Sequence, residues 1–205
     1  MVGGIRSIYF LHVCNQTKSM EPSDAQQLQA DESIPLQKTT TAKATVRNKH
    51  YQNPGVPPPG AQFEYLNHPA DIILHSWGTN LQSALCNLAL CMFGYITSLE
   101  SISTNERESN NHASHLVAEG HDLRSLIYSF LDEWLFNFHD TDFVANSITI
   151  DELNMDKWRA VSSGKGEVMD ISRHPQGTEV KAITYSGMRV DEKEGRVDIY
   201  VVVDI

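Results

Sequence analysis

The sequence predicts an α+β fold: a largely antiparallel β-sheet with two amphipathic helices packed on one face. Three observations point there. Two segments, starting near Leu81 and Leu123, carry apolar residues at helical steps of three and four. The rest of residues 63–205 reads as short alternating or β-branched runs broken by Gly, Pro and polar turns. Helices and strands do not alternate one for one, which argues against parallel βαβ units. The chain has 205 residues, 40% of them hydrophobic, enough for a core that needs no staples.

Residues 1–60 read as a disordered or weakly ordered extension, and residues 61–205 as the folded domain. Residues 15–60 are rich in Gln, Thr, Ser and Lys and end in Asn53-Pro54-Gly55-Val56-Pro57-Pro58-Pro59-Gly60, a stiff spacer-like linker unsuited to a central strand. Order begins at Phe63, where FEYLN alternates, and continues through Ile72-Ile73-Leu74 to Trp77-Gly78. Thr79 with Gln82 predicts a capping box for the first helix, whose Leu81, Ala84, Leu85, Leu88 and Met92 share a face ending near Gly94. A polar loop, Ser103 to Asn111, leads to a short strand over Ala113–Ala118. Gly120 then breaks the chain and Asp122 caps the second helix. Leu123, Leu126, Ile127, Phe130, Leu131, Trp134, Leu135 and Phe138 make its apolar stripe, which is core rather than a cofactor box. Strands are expected over Phe143–Leu153, Lys157–Ser162, Glu167–Ile171, Thr178–Val190 and Arg196–Ile205. Gly164-Lys165-Gly166 reads as a hairpin turn between two of them.

Charge narrows the function classes. The formal net charge is −10, with six Lys/Arg against four Asp/Glu in residues 1–60 and ten against twenty-two beyond. An acidic domain lacks the cations that neutralise phosphates, so it suits a basic protein partner or a metal ion better than nucleic acid. Cys14, Cys86 and Cys91 have no metal-type spacing, and Cys86 and Cys91 sit among apolar residues as small hydrophobes. No stretch is long enough to span a membrane, and a reducing, intracellular setting is expected. Residues 1–20 hold Arg6 and Lys18 without an acid, a weak organellar, here mitochondrial, import signal.

Four polar groups interrupt or end strands. Asp71 precedes Ile72-Ile73-Leu74, Glu167 follows Gly164-Lys165-Gly166, Lys181 lies between Val180 and Ala182, and Asp204 follows Val201-Val202-Val203. Strand alternation would put Lys181 on one face with Glu179, Ile183 and Tyr185, where a salt-bridged lysine is the ordinary outcome. Hard cations choose oxygen ligands, so Asp71, Asp204 and the Ile205 carboxylate form a candidate calcium- or magnesium-like set. A solvated strand-end aspartate is the competing reading of Asp204. His68 and His174 are alternative zinc ligands, although no zinc-type spacing supports them. There is no GxxxxGK[ST] loop, GxSxG elbow or HExxH, and Ser162, Ser163 and Ser172 show no base and orienter.

Taken as a set, YLNHPADIILHSWG (65–78), MFGY (92–95), DLRSLIYSFLDEWLF (122–136), GEV (166–168) and RHPQGTEVKAITYSGM (173–188), closing on VVVDI, resemble the archease family from residue 62 to 205. The resemblance implies a compact sheet with two helices on one face. It implies an accessory role: activation of the RNA-splicing ligase that joins tRNA exon halves, through ligase guanylylation and multiple turnover. It implies a divalent ion at Asp71, Asp204 and Ile205, with Lys181 as the candidate activating residue and His68, Glu167 and His174 as possible supports. The ligase and its complex are then the partner, RNA is met only indirectly, and the location is nucleus and cytoplasm. Pro69 stands where the family has the threonine of HTAD, Asn67 where an acid is common, and Arg173 where a lysine precedes the histidine. Pro69 removes a hydroxyl and an amide donor beside Asp71. Two other functions stay open from the residues: a metal-dependent phosphoester hydrolase using Lys181 and the acids, and a chaperone-like module using the aromatic helix face.

Overall fold

The computed structural model describes residues 53–103 and 114–205. The import segment, Cys14, most of the linker and the loop beyond Ser103 lie outside the described residues. The α+β class holds, and every strand pairing is antiparallel. The strands divide between two sheets, and both helices touch both of them.

The first sheet begins with β1 (Phe63–Asn67) and β2 (Ile72–Gly78). It continues through β8 (Arg196–Asp204), which carries β6 (Ala182–Ile183) and β7 (Arg189–Lys193) along its other side. The second sheet has the order β3-β5-β4, with β3 at Ser114–Glu119, β4 at Phe143–Asn154 and β5 at Arg159–Val168. β2 and β8 are central and apolar on their inner side, so Leu74, Ile199, Val201 and Val203 are fully enclosed.

Helix α1 (Leu81–Ile96) is capped one residue later than the sequence suggests. Asn80 Oδ1 accepts from the Ser83 N–H at 2.9 Å, and Ser83 Oγ accepts from the Asn80 N–H at 3.2 Å. Neighbouring Thr79 and Asn80 are both good caps by type; the reciprocal bonds with Ser83 decide between them. Helix α2 (Leu123–Thr141) has the expected Asp122 cap, whose carboxylate accepts from the Ser125 N–H at 2.7 Å. Phe130, Leu131 and Trp134 are buried. Phe138, the last ring of the stripe, is only partly buried, so the core takes up most but not all of the aromatic face.

Two strand expectations fail. Gly164-Lys165-Gly166 lies inside β5, which runs unbroken from Arg159 to Val168; the hairpin turn from β4 falls instead before Arg159, where Trp158 has φ 48°. These glycines serve close approach, since a Cβ on Gly166 would stand 1.8 Å from Val144 O and one on Gly164 2.6 Å from the Trp134 ring. The run Thr178–Val190 is not one strand. Around Lys181 its ladder to β8 spans only Ala182 and Ile183, pairing resumes at Arg189 in β7, and Val180 and Ile183 are both buried while Lys181 is exposed. Lys181 therefore does not share a face with Ile183, because period-two alternation needs a sustained ladder. The thiols follow expectation: burial raises both the Cys86 and Cys91 pKa. Among the described residues no helix is long and apolar enough to cross a membrane.

Candidate functional site

Strand register brings the sequence-distant candidates to one end of the first sheet. β2 and β8 pair with Ile72 opposite Val203, so the next residues outward, Asp71 and Asp204, are neighbours across the ladder. Ile72 and Val203 face the core, so alternation turns both aspartates to the outer face. On the other side of β8, Ala182 lies opposite Asp204, which sets Lys181 against Ile205. The Lys181 N–H donates to Asp204 O at 2.9 Å, and its Nζ donates to a main-chain oxygen of Ile205 at 2.7 Å. Asp71, Asp204, Ile205 and Lys181 thus share one edge.

The chain enters this edge through a strained corner. Pro69 precedes Ala70, whose φ of 69° is left-handed, and Asp71 follows. His68 Nδ1 lies 3.4 Å from Asp71 Oδ2. That nitrogen is shielded from solvent and makes no hydrogen bond. Among the described residues, no three His, Cys, Asp or Glu side chains gather as a metal-binding group. A cation held here would therefore use main-chain oxygen beside Asp71 and Asp204.

Glu167 and His174 bond to a different set of groups. Glu167 is buried in β5, where Oε1 accepts from the Ser103 N–H at 2.7 Å and Oε2 from Arg173 Nη2 at 3.0 Å. Burial alone would raise its pKa; the Ser103 amide and the Arg173 guanidinium outweigh that and hold it below its ordinary value. The Asp170 N–H donates to His174 Nδ1 at 2.9 Å, so the ring proton sits on Nε2 and points to Glu167 Oε1 at 3.2 Å. Neither ring nitrogen of His174 is left for a cation. Asp170, bonded by Ser172 and Arg173, has its pKa held at about 2. This network fastens the 170–176 turn to β5.

A third polar cluster gave no signal in the sequence. On the outer face of the first sheet, His75 has Nδ1 2.8 Å from Glu64 Oε1 and Nε2 2.9 Å from Asp198 Oδ1. Arg196 forks onto Asp198 at 2.7 and 2.8 Å. These bonds, Arg196 foremost, hold the Asp198 pKa at about 2 against the effect of burial. Tyr200 stacks on His75 at 4.0 Å, and Arg189 lies over Tyr200 at 4.0 Å. Each polar group here already has a partner within the protein, so the cluster ties β1, β2 and β8 together. A cleft of ≈ 480 Å³ is bordered by Phe138, Met169, Ile171, Thr178 and Glu179 and includes none of Asp71, Asp204 or Lys181.

The chain is similar to known proteins of one family. Residues 63–205 match the model of the archease protein family. Protein archease of Danio rerio is 43% identical over 153 residues, covering 73% of this chain and 88% of that protein. The archease-like protein of Caenorhabditis elegans is 40% identical over 145 residues, covering 70% and 90%. Protein archease of Methanopyrus kandleri is 31% identical over 144 residues, covering 70% and 99%. The solution structure of Methanobacterium thermoautotrophicum protein 1598 superimposes with a TM-score of 0.55 at 25% identity, covering 71% of this chain and 99% of that one.

Proposed function

The chain belongs to the archease protein family, and we propose that it is a metal-binding activator of an RNA-splicing ligase, promoting ligase guanylylation and repeated turnover in tRNA exon joining. On this reading it is an accessory protein and performs no chemistry alone. The observation that carries the reading is the meeting of Asp71, Asp204, Ile205 and Lys181 at one end of the β2–β8–β6 ladder.

The donors fit a hard divalent cation, calcium or magnesium, because all three are oxygens. Asp71 and Asp204 supply carboxylates from adjacent strands, and the Ile205 main-chain oxygen follows directly. His68, whose Nδ1 lies 3.4 Å from Asp71 Oδ2, flanks that carboxylate from the strained Pro69-Ala70 corner. Such a cation, when bound, compensates charge on phosphoryl oxygens. Lys181 contributes a second positive group on a long stem at the same edge, suited to reach a partner's nucleotide site. The acidity of the folded part disfavours direct RNA binding, so RNA is met through the ligase; the location in nucleus and cytoplasm rests on the family resemblance.

The test is ligase guanylylation and multiple-turnover joining of ends carrying a 2′,3′-cyclic phosphate, with and without catalytic amounts of this protein. Stimulation of both supports the reading. Asp71→Ala and Lys181→Ala should keep the wild-type circular dichroism and urea midpoint and lose the stimulation. Unchanged guanylylation and turnover with the wild-type protein overturns the proposal, and full stimulation by either variant removes that residue from it.

A further inference from the structure

The Lys181 ammonium already occupies a main-chain oxygen at the end of β8. Lys181 Nζ donates to an Ile205 main-chain oxygen at 2.7 Å, and the metal-binding reading proposed above takes its third donor from the same residue. Resting on the metal-binding reading above, we propose that cation binding at Asp71 and Asp204 displaces the Lys181 side chain from Ile205 and frees its ammonium for a partner. Lys181 is then a charge-coupled reporter of cation occupancy as well as a member of the site.

Three features support displacement over coexistence. The first is distance. A calcium ion binds oxygen at about 2.3–2.6 Å, so an ammonium on the same oxygen would stand about 4–5 Å from a doubly charged ion and be strongly repelled. The second is the ease of leaving: Lys181 is exposed and its head group can return to water at little cost. The third is the anchor. The Lys181 N–H remains bonded to Asp204 O at 2.9 Å, and Ala182 and Ile183 remain paired with Asp204 and Val203. Only the side chain needs to move, so the ladder that positions the acids is preserved.

The experiment uses the full chain, with CaCl2 and MgCl2 each titrated by calorimetry into wild type, Lys181→Met, Lys181→Arg and Asp71→Ala. In parallel, the Lys181 Cε–H correlation is followed by NMR and assigned by its loss in Lys181→Arg. Removing the competing charge should tighten cation binding about tenfold in Lys181→Met. Lys181→Arg should keep an affinity near that of wild type, and Asp71→Ala should lose binding. The Lys181 signal should shift and sharpen with the same midpoint as the heat. Equal or weaker binding by Lys181→Met, or an unmoved Lys181 signal while the ion binds, overturns this inference and leaves the metal-binding reading standing. No binding of either ion to the wild-type protein overturns both.

Discussion

Substituting Gly166 by alanine tests whether the central glycines of β5 exist for close approach or for a turn. Gly166 has no left-handed φ, so handedness does not demand glycine there. A Cβ would stand 1.8 Å from Val144 O, 2.8 Å from Ala145 Cα and 2.8 Å from Val144 C. Relief to an ordinary contact requires the β4 backbone to retreat by about 1.5 Å. All the atoms in the way are backbone, so no rotamer change substitutes for that movement. The retreat disturbs the Val144–Glu167 and Ala145–Gly166 pairs, next to the bulge between Ala145 and Ser147. Overpacking costs about 1–3 kcal/mol, and one weakened ladder bond adds about 1 kcal/mol. The expected loss is therefore about 3 kcal/mol.

The sign is what makes the test sharp. Gly→Ala at a position with ordinary φ and free space stabilises by about 0.4–1 kcal/mol through the unfolded chain. Urea unfolding of Gly166→Ala beside the wild type, with equal m-values, should show a clearly lower midpoint. An unchanged or higher midpoint would refute the close-approach argument and restore the turn reading.

Acid should weaken the His75–Asp198–Arg196 cluster in a defined window. The Asp198 pKa is about 2 in the folded protein and about 3.9 unfolded, so its stabilisation is full above about pH 4 and fades toward pH 2. Asp198→Asn should cost about 3 kcal/mol near pH 7 and progressively less below pH 4, as read by urea midpoints across pH; a difference constant down to pH 2 would exclude the linkage. Ala70→Gly should leave stability unchanged or raise it by about 1 kcal/mol, because Ala70 holds a left-handed φ of 69°, and a lower urea midpoint would show that the Ala70 methyl does more than tolerate the corner. Asp122→Ala removes the α2 cap that holds the Ser125 N–H and should lower stability by about 1 kcal/mol by the same measurement; no change would mean that solvent caps the helix equally well.

Features encoded within one or two turns of chain were legible in the sequence. The α2 stripe and the Asp122 cap depend on neighbours three or four residues away, and both appear where expected. Residue type alone does not separate Thr79 from Asn80 as the α1 cap, and side-chain geometry selects Asn80. The meaning of Gly164 and Gly166 was hidden, since the groups that require them, the Trp134 ring and the Val144 carbonyl, are about 20 to 30 residues distant. Strand alternation misplaces Lys181, because the ladder beside it has two residues, too few to sustain a period of two. The His75–Asp198 bond joins residues 123 apart and leaves no local trace. For the candidate site, spacing alone proposed Asp71 and Asp204 as donors, and the resemblance supplied the reason to put them together.

The register that joins Asp71 to Asp204 is enforced by residues that do no chemistry. Leu74 faces Val201 and Ile72 faces Val203 in a central, enclosed ladder. A one-residue slip would turn these side chains outward and the Tyr200 face inward, so burial fixes the register strongly. The acids at the end of that ladder are thereby held without packing of their own. Lys181 is held differently: its segment pairs with β8 through two residues, reinforced by the Thr184 Oγ1–H donating to Val202 O at 2.9 Å. One edge of the sheet therefore combines two aspartates on a rigid apolar ladder with a lysine on a short strap. A fixed pair of acids suits cation binding, and a movable ammonium suits response to it. The same substitution strategy should accordingly have unequal effects: trimming Val201 acts on the acids only by damaging the fold, whereas changes along residues 178–184 can alter Lys181 while the acids stay in place.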